Sequence, residues 1–200
     1  MTNSASSAKI SVMDLPVESF ATPAAWRAWL RSNHKSSVGV WLRFFKKASG
    51  VPTITYVEAV EEALCYGWID SQMNRFDAQS YVQRFSPRRA RSLWSKINIG
   101  RVERLTAEKR MRAAGLAEVE AAKADGRWQR AYDPPSRLEI PEDFRAALKK
   151  NKKAQKFFAT LNRANLYAVC WRLQTATKPE TRARRIAQLV AMFGEGKALH

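Results

Sequence analysis

Eight residues that can hold or orient a ligand lie within one stretch of about thirty positions. They are Trp68, Asp70, Gln72, Arg84, Arg88, Trp94, Lys96 and Asn98. Indole rings stack on flat ligands, while guanidinium and ammonium groups bind anions. Together these side chains predict a polar pocket for a small anion or metabolite. The alternative is that Asp70 pairs with an arginine and the two tryptophans only pack in the core.

Known catalytic, cofactor-binding and metal-binding motifs are missing from the sequence. It contains no GxGxxG, GxxxxGK[ST] or GxSxG segment. Its two histidines, His34 and His200, do not have the spacing of metal ligands. We therefore predict no catalytic residue, no cofactor and no metal. An enzyme would have to depend on Asp70, Lys96 or Tyr66 in a deep cleft.

The two cysteines, Cys65 and Cys170, are too few for a disulfide framework. Cys65 falls near the end of a predicted helix, where the negative end of the helix dipole raises the pKa of a thiol. We expect both cysteines to be small, unreactive core residues in a reducing compartment.

The formal net charge of +17 is concentrated in two segments. Counting Lys and Arg against Asp and Glu, residues 84–112 carry +8 and residues 145–185 carry +11. Such segments attract anionic partners. Two interpretations stay open: a nucleic-acid-binding module that uses both segments, and solvated helix faces that aid solubility.

Hydrophobic periodicity predicts the elements that position these residues. Alternation favours strands over residues 38–47, 68–73 and 80–85, and a shorter one near residue 17. We predict an α+β fold, in which a small antiparallel β-sheet packed with helices is followed by an all-helical C-terminal region. The predicted domain organisation is a flexible arm (1–16), an α+β core domain (17–133) and a helical region (136–197).

Details of these elements bear on the site. Residues 38–47 are apolar on both faces, which favours a central strand. Alternation over 68–73 puts Ile69 and Met73 on the core face, and Trp68, Asp70 and Gln72 on the other.

Helix starts are predicted from capping residues and prolines. Thr55 with Glu58, and Thr177 with Glu180, have the spacing of capping boxes. Further helices are expected over residues 87–94 and from Asn98 to about residue 113.

Four segments in fixed order resemble the YdeI/OmpD-associated family of bacteriocin-protection proteins. The segments are Ala63–Gln72, Arg84–Arg89, Trp94–Asn98 and Lys178–Ile186, and the resemblance extends from about residue 20 to residue 197. It also implies a glycine where this chain has Lys109 and a proline where it has Ala113. Both departures are expected to alter a helix end.

The resemblance implies protection against bacteriocins and an envelope location, with no catalytic residue to transfer. The sequence itself favours the cytoplasm, because it shows no secretory signal and no segment that could span a membrane. A chain of net charge +17 also repels cationic peptides. We expect a cytoplasmic, non-enzymatic protein that binds a small anion or metabolite and protects against stress, or alternatively a nucleic-acid-binding module. The oligomeric state is left open.

Overall fold

Residues 15–200, the part of the chain that the computed structural model describes, form four β-strands and eight α-helices. The predicted α+β class is confirmed, as is the helical C-terminal region. Most of the predicted N-terminal arm lies outside the described residues. No helix of residues 15–200 has both the length and the apolar character needed to cross a membrane.

The strands form one sheet in the order β1-β2-β4-β3. Their bounds are β1 Val17–Glu18, β2 Val40–Phe45, β3 Trp68–Arg75 and β4 Ser80–Pro87. β2 lies between two neighbours, as its apolar faces predicted. The sheet is not wholly antiparallel, since β1 pairs with β2 in parallel.

A bulge in β3 changes the predicted faces of that strand. Asp70 pairs with Phe85 and Met73 pairs with Gln83, so β3 has one more residue than β4 across this interval. The extra residue inverts the alternation, and side chains beyond it take the opposite face. Met73 is 63% exposed, so its predicted place in the core is wrong. The register also separates Gln72 from the face that Trp68 and Asp70 share.

Four helices accompany the sheet in the first part of the chain. They are α1 Pro23–Asn33, α2 Tyr56–Cys65, α3 Lys96–Ala107 and α4 Ala113–Ala124. Trp26 of α1 is fully buried, and its Nε1 donates to the carbonyl of Ala59 in α2 at 3.1 Å. Its ring lies edge-on to Phe85 of β4, with centroids 5.7 Å apart. These contacts fix both helices on one face of the sheet.

Two predicted helices are corrected. Pro87 ends β4, and residues 88–94 contain no helix. The helix expected from Asn98 begins earlier, at Lys96, and ends at Ala107. A strand that pairs through Pro87 leaves no room for a helix to begin there.

The last four helices are α5 Glu142–Lys149, α6 Lys152–Phe158, α7 Arg163–Gln174 and α8 Pro179–Gly194. They share an apolar core that includes Phe144, Leu173 and Phe193. The predicted capping box at the start of α8 is wrong, because Lys178 is the N-cap and no side chain caps the helix.

The chain divides into two compact units. The first extends to Ser92 and includes Arg101–Ala124, and the second comprises Leu93–Gly100 and Asp125–His200. The sheet, α1, α2 and α4 lie in the first unit, while α5–α8 lie in the second. The predicted boundaries at residues 17–133 and 136–197 stay a prediction.

Candidate anion-binding cavity

The eight predicted site residues are divided between the two units. Trp68, Asp70, Gln72, Arg84 and Arg88 belong to the first unit. The second unit contains Trp94, Lys96 and Asn98. The predicted residues therefore fall into two groups, one in each unit, and a site that combines all eight stays a prediction.

Trp68 and Asp70 have structural partners inside the first unit. Trp68 is 1% exposed, and its Nε1 donates to the carbonyl of His34 at 3.1 Å. Oδ2 of Asp70 accepts from the hydroxyl of Tyr56 at 2.7 Å and from Nε2 of Gln83 at 3.2 Å. The carboxylate is held by neutral donors, and not by an arginine as the alternative interpretation supposed.

The other three residues of this group differ in exposure. Gln72 is exposed and donates to Oδ1 of Asn74 at 3.2 Å. Arg84 pairs with Trp41 in the ladder, on the face opposite Asp70. Arg88 is 6% exposed, and its backbone N–H donates to the carbonyl of Gly67 at 2.9 Å.

In the second unit, each predicted residue has a neighbour close by. The buried Trp94 ring lies against Trp128, with centroids 5.0 Å apart. Nζ of Lys96 is 2.7 Å from Oδ1 of Asp133. The backbone N–H of Asn98 donates to Oγ of Ser95 at 3.2 Å near the start of α3.

A cavity of about 620 Å³ in the first unit is lined by basic groups that the sequence analysis did not single out. We call it the basic cavity. Its polar lining comes from α1 and the turn after it, from the end of α2 and from the residue before α4, namely Arg27, Arg31, His34, Lys35, Tyr66 and Arg112. Four alanines complete the wall, so the space beside the cations is wide.

One of these cations, Arg27, forms an ion pair with Glu62, which does not line the cavity. Nε and Nη2 of Arg27 donate to the two carboxylate oxygens of Glu62 at 2.8 and 2.7 Å. Arg110 donates to the same carboxylate at 2.8 Å. Burial of Glu62 acts to raise its pKa, but the hydrogen bonds and the positive charges of the two guanidinium groups together outweigh burial, and the pKa is lowered overall. Glu62 therefore stays ionised and holds Arg27 in place.

Three other cations around the cavity have no acidic partner among residues 15–200. Arg31, Lys35 and Arg112 are exposed, and none forms an ion pair with the residues that the structure describes. By contrast, Arg104 and Arg110 nearby in the chain each bind a glutamate. The basic cavity thus has an excess of positive charge that an anion would balance.

His34 presents a further polar atom. Its Nδ1 lies 2.9 Å from the carbonyl of Leu30. Because a carbonyl only accepts, Nδ1 carries a hydrogen, and Nε2 is the nitrogen left for other partners. The imidazole lies 5.1 Å from the ring of Tyr66 at an angle of 57°. This contact fixes the ring at the cavity wall.

A local signal in the sequence could have found this cavity. Arg27 and Arg31 are one helical turn apart on α1, and Lys35 follows after another four positions. A net charge summed over a long segment does not show this spacing, because acidic residues elsewhere in the segment cancel the positive charges. Arg112 comes from a distant segment, so only folding brings it to the same cavity.

Both cysteines lie in surroundings that disfavour the thiolate form. Burial raises the pKa of Cys65 to about 11, and it raises the pKa of Cys170 to about 11 as well. Both side chains are buried. The expectation that both cysteines are core residues is confirmed, and their lack of reactivity stays a prediction.

Comparison with protein families matches the two parts of the chain separately. Residues 18–118, half of the chain, match a family described as a domain of unknown function, DUF8412. The chain belongs to the DUF8412 family. The basic cavity and the whole sheet except the first residue of β1 lie within this DUF8412 match.

A second match covers residues 137–196. The family is described as bacteriocin-protection, YdeI or OmpD-associated. This confirms the predicted resemblance for the helical C-terminal part of this DUF8412 protein. Only one of the four segments that carried the resemblance, Lys178–Ile186, lies in this match, while the other three lie in the DUF8412 match. No curated protein and no solved structure matched the chain.

Proposed function

We propose that this DUF8412 protein is a non-enzymatic binding protein for a small anion, which it holds in the basic cavity. The observation that carries this proposal is the group of three exposed cations, Arg31, Lys35 and Arg112, around one cavity without acidic partners among the described residues. Like charges so placed repel one another, and a bound anion relieves that repulsion.

The chemistry of the lining favours a compact anion such as phosphate or a small polycarboxylate. Two guanidinium groups provide forked donors that match the oxygens of these ligands. Nε2 of His34 is an acceptor in this tautomer, so it can accept a hydrogen bond from a hydroxyl group of the ligand. Because the cations are exposed, salt screens their attraction, and binding should weaken as ionic strength rises.

Calorimetric titration with inorganic phosphate and with citrate tests the proposal. Arg31→Gln and Arg112→Gln should each weaken binding about tenfold or more, because a hydrogen bond to a charged group contributes at least about 1.5 kcal/mol. Arg91→Gln removes the same charge from an exposed position outside the cavity and should leave affinity nearly unchanged. Equal losses in all three variants, or no binding of either anion, would contradict the proposal.

The eight residues predicted from the sequence remain a second location for an anionic ligand. Asp70→Ala and Arg88→Ala in the same titration address them. If these variants weaken phosphate or citrate binding while Arg31→Gln does not, the ligand lies at the predicted residues and not in the basic cavity.

A second candidate function is nucleic-acid binding through the second basic segment. Five lysines near the junction of α5 and α6 are exposed and form no ion pair with described residues, namely Lys149, Lys150, Lys152, Lys153 and Lys156. When a protein neutralises DNA phosphates, the logarithm of its affinity falls as the logarithm of the salt concentration rises. The slope is about −0.9 for each neutralised phosphate. Titration of a labelled DNA duplex at two salt concentrations measures that slope, and a flat response would reject this candidate.

The cellular role is part of the same proposal. The description of the second family names bacteriocin protection, and a chain of net charge +17 is poorly suited to sequester cationic peptides directly. We favour stress protection through the bound anion, in the cytoplasm. Two free cysteines support that location, because a reducing compartment keeps thiols unpaired.

A further inference from the structure

A second cavity of the first unit differs from the basic cavity in its chemistry. It has a volume of about 460 Å³ and lies where the chain leaves β2 and approaches α2. We call it the aromatic cavity, because Phe44, Phe45, Tyr56 and Tyr81 line it. The rings of Phe44 and Tyr81 stack with centroids 5.2 Å apart and an angle of 13°. Because Phe44 is only 2% exposed, the aromatic surface left for a planar ligand comes from Phe45, Tyr56 and Tyr81.

Six of the twelve described residues that line the aromatic cavity have polar side chains, and they differ in whether they already have partners. Lys46 is committed, since its Nζ donates to the carbonyl of Ala78 at 2.8 Å. Lys47 also lines the cavity, and its ammonium group has no partner among residues 15–200. No aspartate or glutamate is among the described lining residues. The cavity therefore presents one available positive charge beside aromatic rings.

Tyr81 adds a hydrogen-bond donor. Burial raises the pKa of its hydroxyl, so the group stays protonated at neutral pH. The hydroxyl of Tyr81 has no acceptor among the described residues, and its side chain is half-buried. Tyr56 is different, because its hydroxyl donates to Asp70.

We propose that the aromatic cavity binds a small aromatic carboxylate. The aryl ring packs against the aromatic side chains, and the carboxylate binds the ammonium of Lys47 and the hydroxyl of Tyr81. The ligand carries one negative charge because the cavity offers one available cation, whereas the basic cavity offers three. Apolar surface is left for the ring to cover, since Val51 at the rim is 42% exposed and Tyr56 is 37% exposed.

This site is independent of the basic cavity, because the two linings have no residue in common. Failure of one proposal therefore leaves the other intact, and variants of each cavity serve as controls for the other.

Ligand-observed NMR titration of the full chain with three probes tests the site. The probes are 2-naphthoate, the neutral 2-naphthalenemethanol with the same ring system, and inorganic phosphate without a ring. We expect 2-naphthoate to bind about two to five times more tightly than the alcohol, because an ion pair with the exposed Lys47 adds a modest attraction to the contact of the ring. Phosphate should not compete with 2-naphthoate.

Variants locate the binding. Lys47→Gln should remove the preference for the carboxylate over the alcohol, and Tyr81→Phe should weaken 2-naphthoate binding severalfold while it preserves the ring stack. Lys35→Gln, in the basic cavity, should change neither value. The site is wrong if 2-naphthoate does not bind, if Lys47→Gln keeps the full preference, or if phosphate displaces 2-naphthoate.

An aromatic side chain of a protein partner is another occupant that the aromatic cavity could take. In that case the alcohol would bind as well as the carboxylate, and Lys47→Gln would have no effect. This result would overturn the carboxylate proposal.

Discussion

Lys109 shows how one residue can depart from what its backbone position favours. Its φ of 57° is the only positive φ at a non-glycine residue among residues 15–200. The N–H of Lys109 donates to the carbonyl of Thr106, and the N–H of Arg110 donates to that of Leu105. This is the Schellman pattern that ends a helix, in which glycine is favoured at the left-handed position. The family resemblance implied a glycine at this place, and the helix end explains why.

Lys109→Gly should therefore stabilise the protein. A left-handed conformation costs a residue with a Cβ about 1–2 kcal/mol, and the greater freedom of glycine in the unfolded chain offsets part of this gain. We expect a net increase of about 0.5–1 kcal/mol in the free energy of unfolding, measured with urea. Ala117→Gly, at an exposed position in the middle of α4, should instead destabilise by about 1 kcal/mol. A loss in both variants would contradict the explanation.

At the scale of the element, two sequence patterns that look alike have different outcomes. Oγ1 of Thr55 accepts from the N–H of Glu58 at 3.2 Å, and Glu58 accepts from the N–H of Thr55 at 2.8 Å. The predicted capping box of α2 is thus confirmed. Thr177 lies one residue too early to cap α8, because Pro179 takes the first helical position.

Alanine substitution should separate the two threonines. Thr55→Ala removes a side-chain cap and should lower the free energy of unfolding by about 1 kcal/mol. Thr177→Ala removes no cap and should change it by less than about 0.5 kcal/mol. Thermal and urea unfolding of both variants supply the measurement, and equal losses would show that the N-cap is misplaced.

For the molecule as a whole, buried charge ties distant segments of the first unit together. Glu62 of α2 is 2% exposed and binds Arg27 of α1 as well as Arg110, which follows α3. The lowered pKa of Glu62 means that folding favours its ionised form. The carboxylate of Glu62 thus links α1, α2 and the segment after α3. It also holds Arg27 in the lining of the basic cavity.

The stabilising effect of Glu62 should depend on pH. Since its folded pKa lies below the usual 4.5, its contribution is complete above that value and is lost as pH falls through the folded pKa. We expect Glu62→Gln to lower the free energy of unfolding by about 1–3 kcal/mol at pH 7, and the gap to wild type should narrow below pH 4.5. Urea unfolding at several pH values measures this gap. A gap that stays constant to pH 3 would show that the ion pairs do not stabilise the fold.

The sequence by itself determined part of the local structure. Thr55 with Glu58 and the apolar residues of β2 set a helix start and a central strand, because capping and periodicity act over a few residues. It also indicated the helical C-terminal region and the family resemblance there.

The tertiary structure decided which residues of distant segments lie together. The bulge after Asp70 depends on the register with β4, and the division of the eight predicted residues between two units depends on how the chain folds back. Arg112 joins Arg31 at one cavity although they are about eighty positions apart. No local pattern specifies such contacts, because they form through the burial of apolar surface over the whole unit.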